Sequence, residues 1–173
     1  VTGASGQLAL EISRRFGRDG DVVAMTRAQL DITDHGAVLA AVARARPDVI
    51  VNCAAYNDVD GAETNPVTAM AVNGLAVRSL AAAAREAGAT LVHYSTDFVF
   101  DGQASRPYDE RAEPAPQSVY ASSKLLGEWF ATGAPRHYVL RVESLFGGGA
   151  ESPQPAGRRL GSTLDRIVDA LLD

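Results

Sequence analysis

Val1-Thr2-Gly3-Ala4-Ser5-Gly6-Gln7-Leu8-Ala9 places two glycines between the end of a strand and the start of a helix. Glycine lets the chain turn tightly and brings backbone N–H groups close to whatever sits at the positive end of the following helix. From residue 6 to residue 16 the apolar side chains Leu8, Ile12 and Phe16 recur every four positions, which predicts one buried helical face. A turn of this kind needs a strand before it, and Val1 is the only residue of that strand present. The sequence therefore reads as a piece that begins inside its first strand and, at Leu171-Leu172-Asp173, ends on an unfinished helix.

Outward from this turn, strand and helix patterns alternate. Residues 21–26, around Val22-Val23, predict a short strand. Thr33 or Asp34 can cap a helix through Val38, Leu39 and Val42 that Pro47 ends. Residues 48–53 form a nearly continuous apolar run, as expected of a strand covered on both faces. Asn65-Pro66 reads as an N-cap with proline in the first turn of a helix reaching Ala87, where Gly88 stops it. A strand over 90–95, a long loop over 97–117, a helix over 119–132 and a strand over 137–141 follow. Residues 147–157 are rich in glycine and proline, and a last helix begins near Ser162. The alternation predicts an α/β fold: a doubly wound parallel sheet with right-handed crossovers, one Rossmann-like domain occupying residues 1–173.

Composition removes several function classes. Sixteen basic against 21 acidic residues give a net charge of −5 with no basic block, which speaks against a nucleic-acid partner. No uninterrupted run approaches the ~18 apolar residues of a membrane span. The one cysteine, Cys53, reads as a packing residue and suits a reducing, cytoplasmic setting. His35, His93 and His137 lie far apart without metal-ligand spacing, so no metal is expected.

The chemistry concentrates at four places. Gly3, Ser5, Gly6, Gln7 and Leu8 can lay backbone N–H groups against a pyrophosphate, with Ala9 keeping helix and sheet close. Tyr120 and Lys124, four residues apart, share one helical face, where an ammonium would lower the phenol's pKa and make it a usable proton donor. Lys124 is the only lysine, beside fifteen arginines, which points to a position that arginine cannot fill. Ser95-Thr96-Asp97 ends a strand at the edge where open α/β sheets bind ligands, although a turn held by local side-chain bonds has the same signature. The small residues of Asn52-Cys53-Ala54-Ala55-Tyr56 end another strand and leave room for a cofactor; Asn73, inside the long helix, is either a helix-to-backbone hydrogen bonder or half-buried. About 20 residues past the glycine turn, where a dinucleotide fold reads the ribose 2′ position, stand Thr26-Arg27. Arg27 suits a 2′-phosphate and so NADPH over NADH, with Asp31 the nearest acid to object.

Together these residues resemble the extended short-chain dehydrogenase/reductase family, and within it the dTDP-4-dehydrorhamnose reductase branch. Gly3-Ala4-Ser5-Gly6-Gln7-Leu8, Leu30-Asp31-Ile32-Thr33-Asp34, Arg46-Pro47-Asp48-Val49-Ile50-Val51-Asn52, Val72-Asn73, Tyr94-Ser95-Thr96-Asp97-Phe98-Val99-Phe100-Asp101-Gly102, Tyr120 and Lys124 carry the likeness. The resemblance implies hydride transfer from a nicotinamide cofactor to the C4 ketone of a deoxysugar attached to dTDP. Tyr120 would protonate the forming alkoxide, Lys124 would hold the nicotinamide ribose and tune Tyr120, and Thr96 would hydrogen-bond the sugar oxygen. Gly3, Ser5, Gly6, Gln7 and Leu8 would lie at the pyrophosphate, Asp31 and Ile32 near the adenine, and Ala54, Ala55, Tyr56 and Asn73 along the cofactor. Asn57, Val59, Asp60, Asp97 and Ser144 would border the sugar.

The branch commonly reads Arg-Thr-Ser-Trp-Val-Tyr where this chain has Arg141-Val142-Glu143-Ser144-Leu145-Phe146, so Ser144 replaces a flat apolar wall. The branch's C-terminal substrate portion would lie after Asp173. Two other readings stay open: an epimerase or dehydratase of the same superfamily, with Asp97 as an acid, and a non-catalytic NADP-binding regulatory subunit. A homodimer is compatible with all three.

Overall fold

A computed structural model describes residues 1–145 of the chain. Its helices are α1 (Gln7–Phe16), α2 (His35–Ala45), α3 (Val59–Thr64), α4 (Pro66–Met70), α5 (Ala76–Ala87) and α6 (Val119–Ala131). Its strands are β1 (Val49–Asn52), β2 (Thr90–Thr96) and β3 (His137–Val142). The strands are parallel, in the order β1-β2-β3, with Ile50 beside Leu91 and Val92 beside Tyr138. The parallel α/β architecture expected from the sequence is present.

Thr2 extends the sheet beyond β1, bridging Asn52 on one side and Met25 on the other. The Thr2 amide donates to the Val51 carbonyl at 3.0 Å, and the Met25 amide donates to the Val1 carbonyl at 2.9 Å. The strand expected over 21–26 is present as a single bridge at Met25. The chain leaves Thr2 toward Met25 and later returns on the opposite side of Thr2 as β1. That reversal makes the gap between Thr2 and β1 a topological switch point, where open α/β sheets place their ligands.

Local chemistry explains the helix ends. Asp34 caps α2 by accepting from the Ala37 amide, and Arg46 closes it in the left-handed region at φ 44°, next to Pro47. Gly88 ends α5 at φ 65°. Ser118 caps α6 by accepting from the Ala121 amide. The helix expected over 65–87 is continuous, but Ala71–Leu75 widens into a π-helical turn between α4 and α5. Such single π turns are frequent at functional sites. Asn65 stands at the N-cap of α4 with Pro66 in the first turn, as expected, but its side chain makes no cap bond and its amide donates to the Gly61 carbonyl and to Thr64 instead.

Helices α2, α5 and α6 pack side by side on one face of the sheet. The core there joins Val38, Val42, Ile50, Val77, Leu80 and Leu91 with a row of alanines that lets the elements approach closely. Pro66–Ala87 is long and apolar enough to cross a membrane by composition, with a mean hydropathy of 1.4, although no single apolar run in it is that long. More than half of it is buried in the protein, as a core helix should be. The segments read at 147–157 and from Ser162 lie outside the described residues.

Candidate active site

The glycine turn sits at the switch point. Gly3 has φ +69°, and a Cβ there would lie 2.8 Å from the Ala54 backbone. Only glycine lets the turn close on the end of β1. The Gly6 amide donates to the Gly3 carbonyl at 2.9 Å, and Gly6 then opens α1 without a side-chain cap. Gly6, at the N-cap position, carries no side chain that could cover the positive end of α1, so the turn is shaped for an anion. Below it, Thr2 Oγ1 donates to Asn52 Oδ1 at 2.7 Å, and Asn52 Nδ2 donates to His93 Nδ1 at 3.1 Å. This accepting Nδ1 marks a neutral His93, and burial, with Lys124 adding to it, holds its pKa down to about 3.

Tyr120 and Lys124 share a face of α6 and are both buried, at 9% and 4% exposure. Tyr120 packs with Ala62 and Ala69 and meets the Phe98 ring edge-on at 6.2 Å. Lys124 Nζ donates to the Tyr94 carbonyl at 2.6 Å. Burial lowers its pKa to about 8, against the raising influence of Glu128. A lysine so placed is still mostly protonated at neutral pH.

The phenol behaves differently from the sequence expectation. Burial and the nearby Asp97 carboxylate raise the Tyr120 pKa above its usual value, and the Thr96 hydroxyl is the group that lowers it. Lys124 directs its ammonium to the Tyr94 carbonyl and supplies no such lowering here. A raised value keeps the proton on Tyr120 at neutral pH, as a donor requires. Thr96 ends β2 beside it and donates to Asp97 Oδ1 at 3.0 Å, while accepting from the Phe98 amide. The strand-end turn and the chemically useful hydroxyl are thus the same feature.

Asn73 resolves to the first of its two sequence readings. Its Oδ1 accepts from the Tyr56 amide at 2.8 Å, and its Nδ2 donates to the Tyr56 carbonyl and to Ser123 Oγ. Buried at 1% exposure and holding three side-chain hydrogen bonds, it ties the Ala54-Ala55-Tyr56 segment to α6. Ser123 in turn donates to the Tyr120 carbonyl at 2.6 Å. The π turn that carries Asn73 packs against α6 at Gly127, where any Cβ would collide with the Asn73 carbonyl oxygen.

At the other end, Arg27 is exposed, whereas Asp31 is engaged by the Thr33 amide and hydroxyl at 3.0 and 2.7 Å. These bonds, with a smaller effect of Arg27, lower the Asp31 pKa. The Thr26 hydroxyl donates to Gln29, so it is not free for a phosphate as the sequence reading allowed. Ile32 is buried in the core, which leaves only its main chain for an adenine.

Comparison with known proteins identifies the family. Residues 1–164 match the RmlD substrate binding domain. The chain belongs to this family. Among RmlD-type proteins, a dTDP-4-dehydrorhamnose reductase of Mycobacterium tuberculosis is 45% identical over 155 residues, covering 86% of this chain and 50% of that protein. A dTDP-4-dehydrorhamnose reductase of Streptomyces griseus is 47% identical over 152 residues, again 86% of this chain and 50% of the relative. The crystal structure of a dTDP-4-dehydrorhamnose reductase from Bacillus anthracis in complex with NADP superposes with a TM-score of 0.83 at 36% identity, covering 87% of this chain and 54% of that one. The chain spans about half the length of the curated relatives it matches.

Within this RmlD-family frame, Gly3, Gly6 and Ala54 gather at the switch point, Thr96, Asp97, Tyr120 and Lys124 gather where β2 ends against α6, and Tyr56 packs in the cluster that holds Tyr120. Asn57 and Asp60 are exposed, and Val59 starts α3 and packs in the cluster that holds Tyr120. Ser144 is exposed beyond the end of β3. Sequence reasoning missed α3, whose only signal is Asp58 accepting from the Gly61 amide as its cap. It also passed over Glu128 and Arg141, which pair through space across 13 residues and leave no local pattern.

Proposed function

We propose that this chain is the cofactor-binding part of an NADPH-dependent ketoreductase acting at C4 of a deoxysugar carried on a nucleotide. The observation that carries the reading is the meeting of Tyr120 and Thr96, from two different elements, beside the buried Lys124. The names of the relatives and the NADP in the Bacillus anthracis structure support the same substrate and cofactor classes.

The residues present fit a nicotinamide dinucleotide. Gly3 permits the tight turn, α1 opens without a side-chain cap, and Arg27 is exposed to meet a 2′-phosphate. The cofactor, when bound, supplies the hydride. Tyr120 gives its proton to the ketone oxygen as that oxygen becomes an alkoxide, and Thr96 holds the same oxygen by a hydrogen bond. Asn73 holds the Tyr56 backbone against α6, and Lys124 places one positive charge beside the ribose. Ala54, Ala55 and Tyr56 line the cofactor's path, with Asn57, Val59, Asp60, Asp97 and Ser144 toward the sugar. A cytoplasmic setting is the natural one for this chemistry.

A non-catalytic cofactor-binding subunit would have no use for a buried phenol held in its protonated form beside a threonine hydroxyl. In the full-length protein, Lys124→Arg is expected to weaken NADPH binding and to move the alkaline limb of the pH–rate profile, because the bulkier guanidinium cannot enter the buried ammonium site. NADPH titration together with kcat/KM from pH 6 to 10 checks this. A normal affinity and an unmoved profile would remove Lys124 from the site.

A further inference from the structure

One turn beyond Lys124 on α6 stands Glu128, buried at 6% exposure. Residues four apart on a helix are neighbours, and a buried carboxylate beside a buried ammonium would ordinarily pair with it. It does not. Glu128 Oε1 accepts from Ser95 Oγ at 2.5 Å and from Arg141 Nε at 2.9 Å, and Oε2 accepts from Arg141 Nη2 at 2.7 Å. The Arg141 fork comes from the end of β3 and also lies over the Phe100 ring, 4.9 Å from its centre. Phe100 stacks on Tyr108 at 4.3 Å, so the same arginine steadies the loop that follows Thr96.

We propose that Glu128 is a positioning residue: held by Arg141 and Ser95, it keeps a negative charge beside the Lys124 ammonium without bonding to it, which leaves that ammonium directed at the Tyr94 carbonyl and the cofactor. This rests on the ketoreductase reading only where it speaks of a cofactor. The electrostatic surroundings are consistent with it. Burial acts to strip the proton from Lys124, and Glu128 is the group that opposes this. From β2 the facing group is His93, which is neutral, and from Asp97–Val99 it is Asp97, whose charge acts on Tyr120. From β3 it is Arg141, taken up by Glu128. The π turn and α4 carry no titratable residue; Glu63 of α3 accepts from the Val119 amide at the start of α6, and Arg78 of α5 lies over Phe130 near its end.

The test uses the full-length protein labelled with [ε-13C]lysine, free of cofactor, the Lys124 resonance being the one that disappears in Lys124→Met. In the parent this resonance should titrate with a midpoint near 8. In Glu128→Gln the midpoint should fall by about one pH unit, since removing an opposite charge at this range favours the neutral amine. The alkaline limb of kcat/KM should move the same way. Because Glu128→Gln leaves Arg141 unpaired and can unfold the protein, Glu128→Gln/Arg141→Gln, which leaves neither charge buried alone, is measured beside it; the midpoint should fall here by less, since losing the Arg141 charge acts the other way. A midpoint unchanged in the folded variants, even with a lowered Tm, would make the pair merely structural and overturn the proposal. A midpoint that falls while the parent reduces no keto sugar would instead retain the positioning role and defeat the ketoreductase reading.

Discussion

Tyr120→Phe in the full-length protein is expected to lower kcat by roughly 10²–10⁴-fold, the usual worth of a positioned general acid. NADPH affinity should stay within about threefold, because an interaction made only at the reacting oxygen contributes to turnover and not to ground-state binding. The structure makes this substitution informative. The ring sits in a cluster with Ala62, Ala69, Tyr56, Val59 and Val119, and phenylalanine preserves that packing and the edge-on contact with Phe98. Only the hydroxyl beside Thr96 is lost. Steady-state kinetics with a 4-keto sugar nucleotide and a separate NADPH titration distinguish the two effects. Turnover within about threefold of the parent would show that another group donates the proton.

The second large effect is expected at Arg27. The parent should prefer NADPH over NADH, and Arg27→Ala should reduce that preference by roughly ten- to 150-fold, the worth of a hydrogen bond to a charged group. The structure strengthens the case against Asp31 as a competing reader of the ribose. Its Oδ1 is engaged by both the amide and the hydroxyl of Thr33, in a turn that points the carboxylate back to its own backbone. It weakens the case for Thr26, whose hydroxyl is committed to Gln29. Discrimination should therefore rest on Arg27 alone. The ratio of kcat/KM for the two cofactors, measured in parent and variant, checks this. Equal use of both cofactors in the parent, or a ratio that ignores the substitution, would contradict it.

How much of this was legible in the sequence depends on range. Asp34, Pro47, Pro66 and Gly88 act within one turn of their own position, and each marks the boundary it was expected to mark. Glycine at position 3 was readable as a turn, but its reason is tertiary: the backbone of Ala54 occupies the space of a side chain. Tyr120 and Lys124 were paired correctly on one helical face, yet the direction of the phenol's pKa was not readable. It depends on Asp97 and on burial, neither of which the four-residue spacing contains. The only lysine of the sequence, Lys124, is buried, a placement that composition does not contain.

Short and irregular elements escaped for a different reason. Helix α3 has six residues, too few for a 3.6-residue period to show. The π turn at Ala71–Leu75 inserts its extra residue inside an otherwise regular apolar pattern, and only the fit of Asn73 between Tyr56 and Ser123 reveals its use. The strand expected over 21–26 is represented by the Met25 bridge to Thr2. The Ser95–Glu128–Arg141 cluster joins three elements and could be found only once those elements were placed together.

The central claim is net reduction at a sugar carbon, and one isotope experiment addresses it. The full-length protein is supplied with NADPH carrying deuterium at both C4 positions of the nicotinamide and with a 4-keto-6-deoxy sugar nucleotide. Product is then analysed by NMR and mass spectrometry while cofactor consumption is followed by absorbance. One NADPH should be oxidised per sugar reduced, with a single deuterium at C4 of the product sugar. A product free of deuterium at C4, or sugar turnover without net consumption of NADPH, would contradict ketoreduction and point to the epimerase or dehydratase chemistry of the wider superfamily.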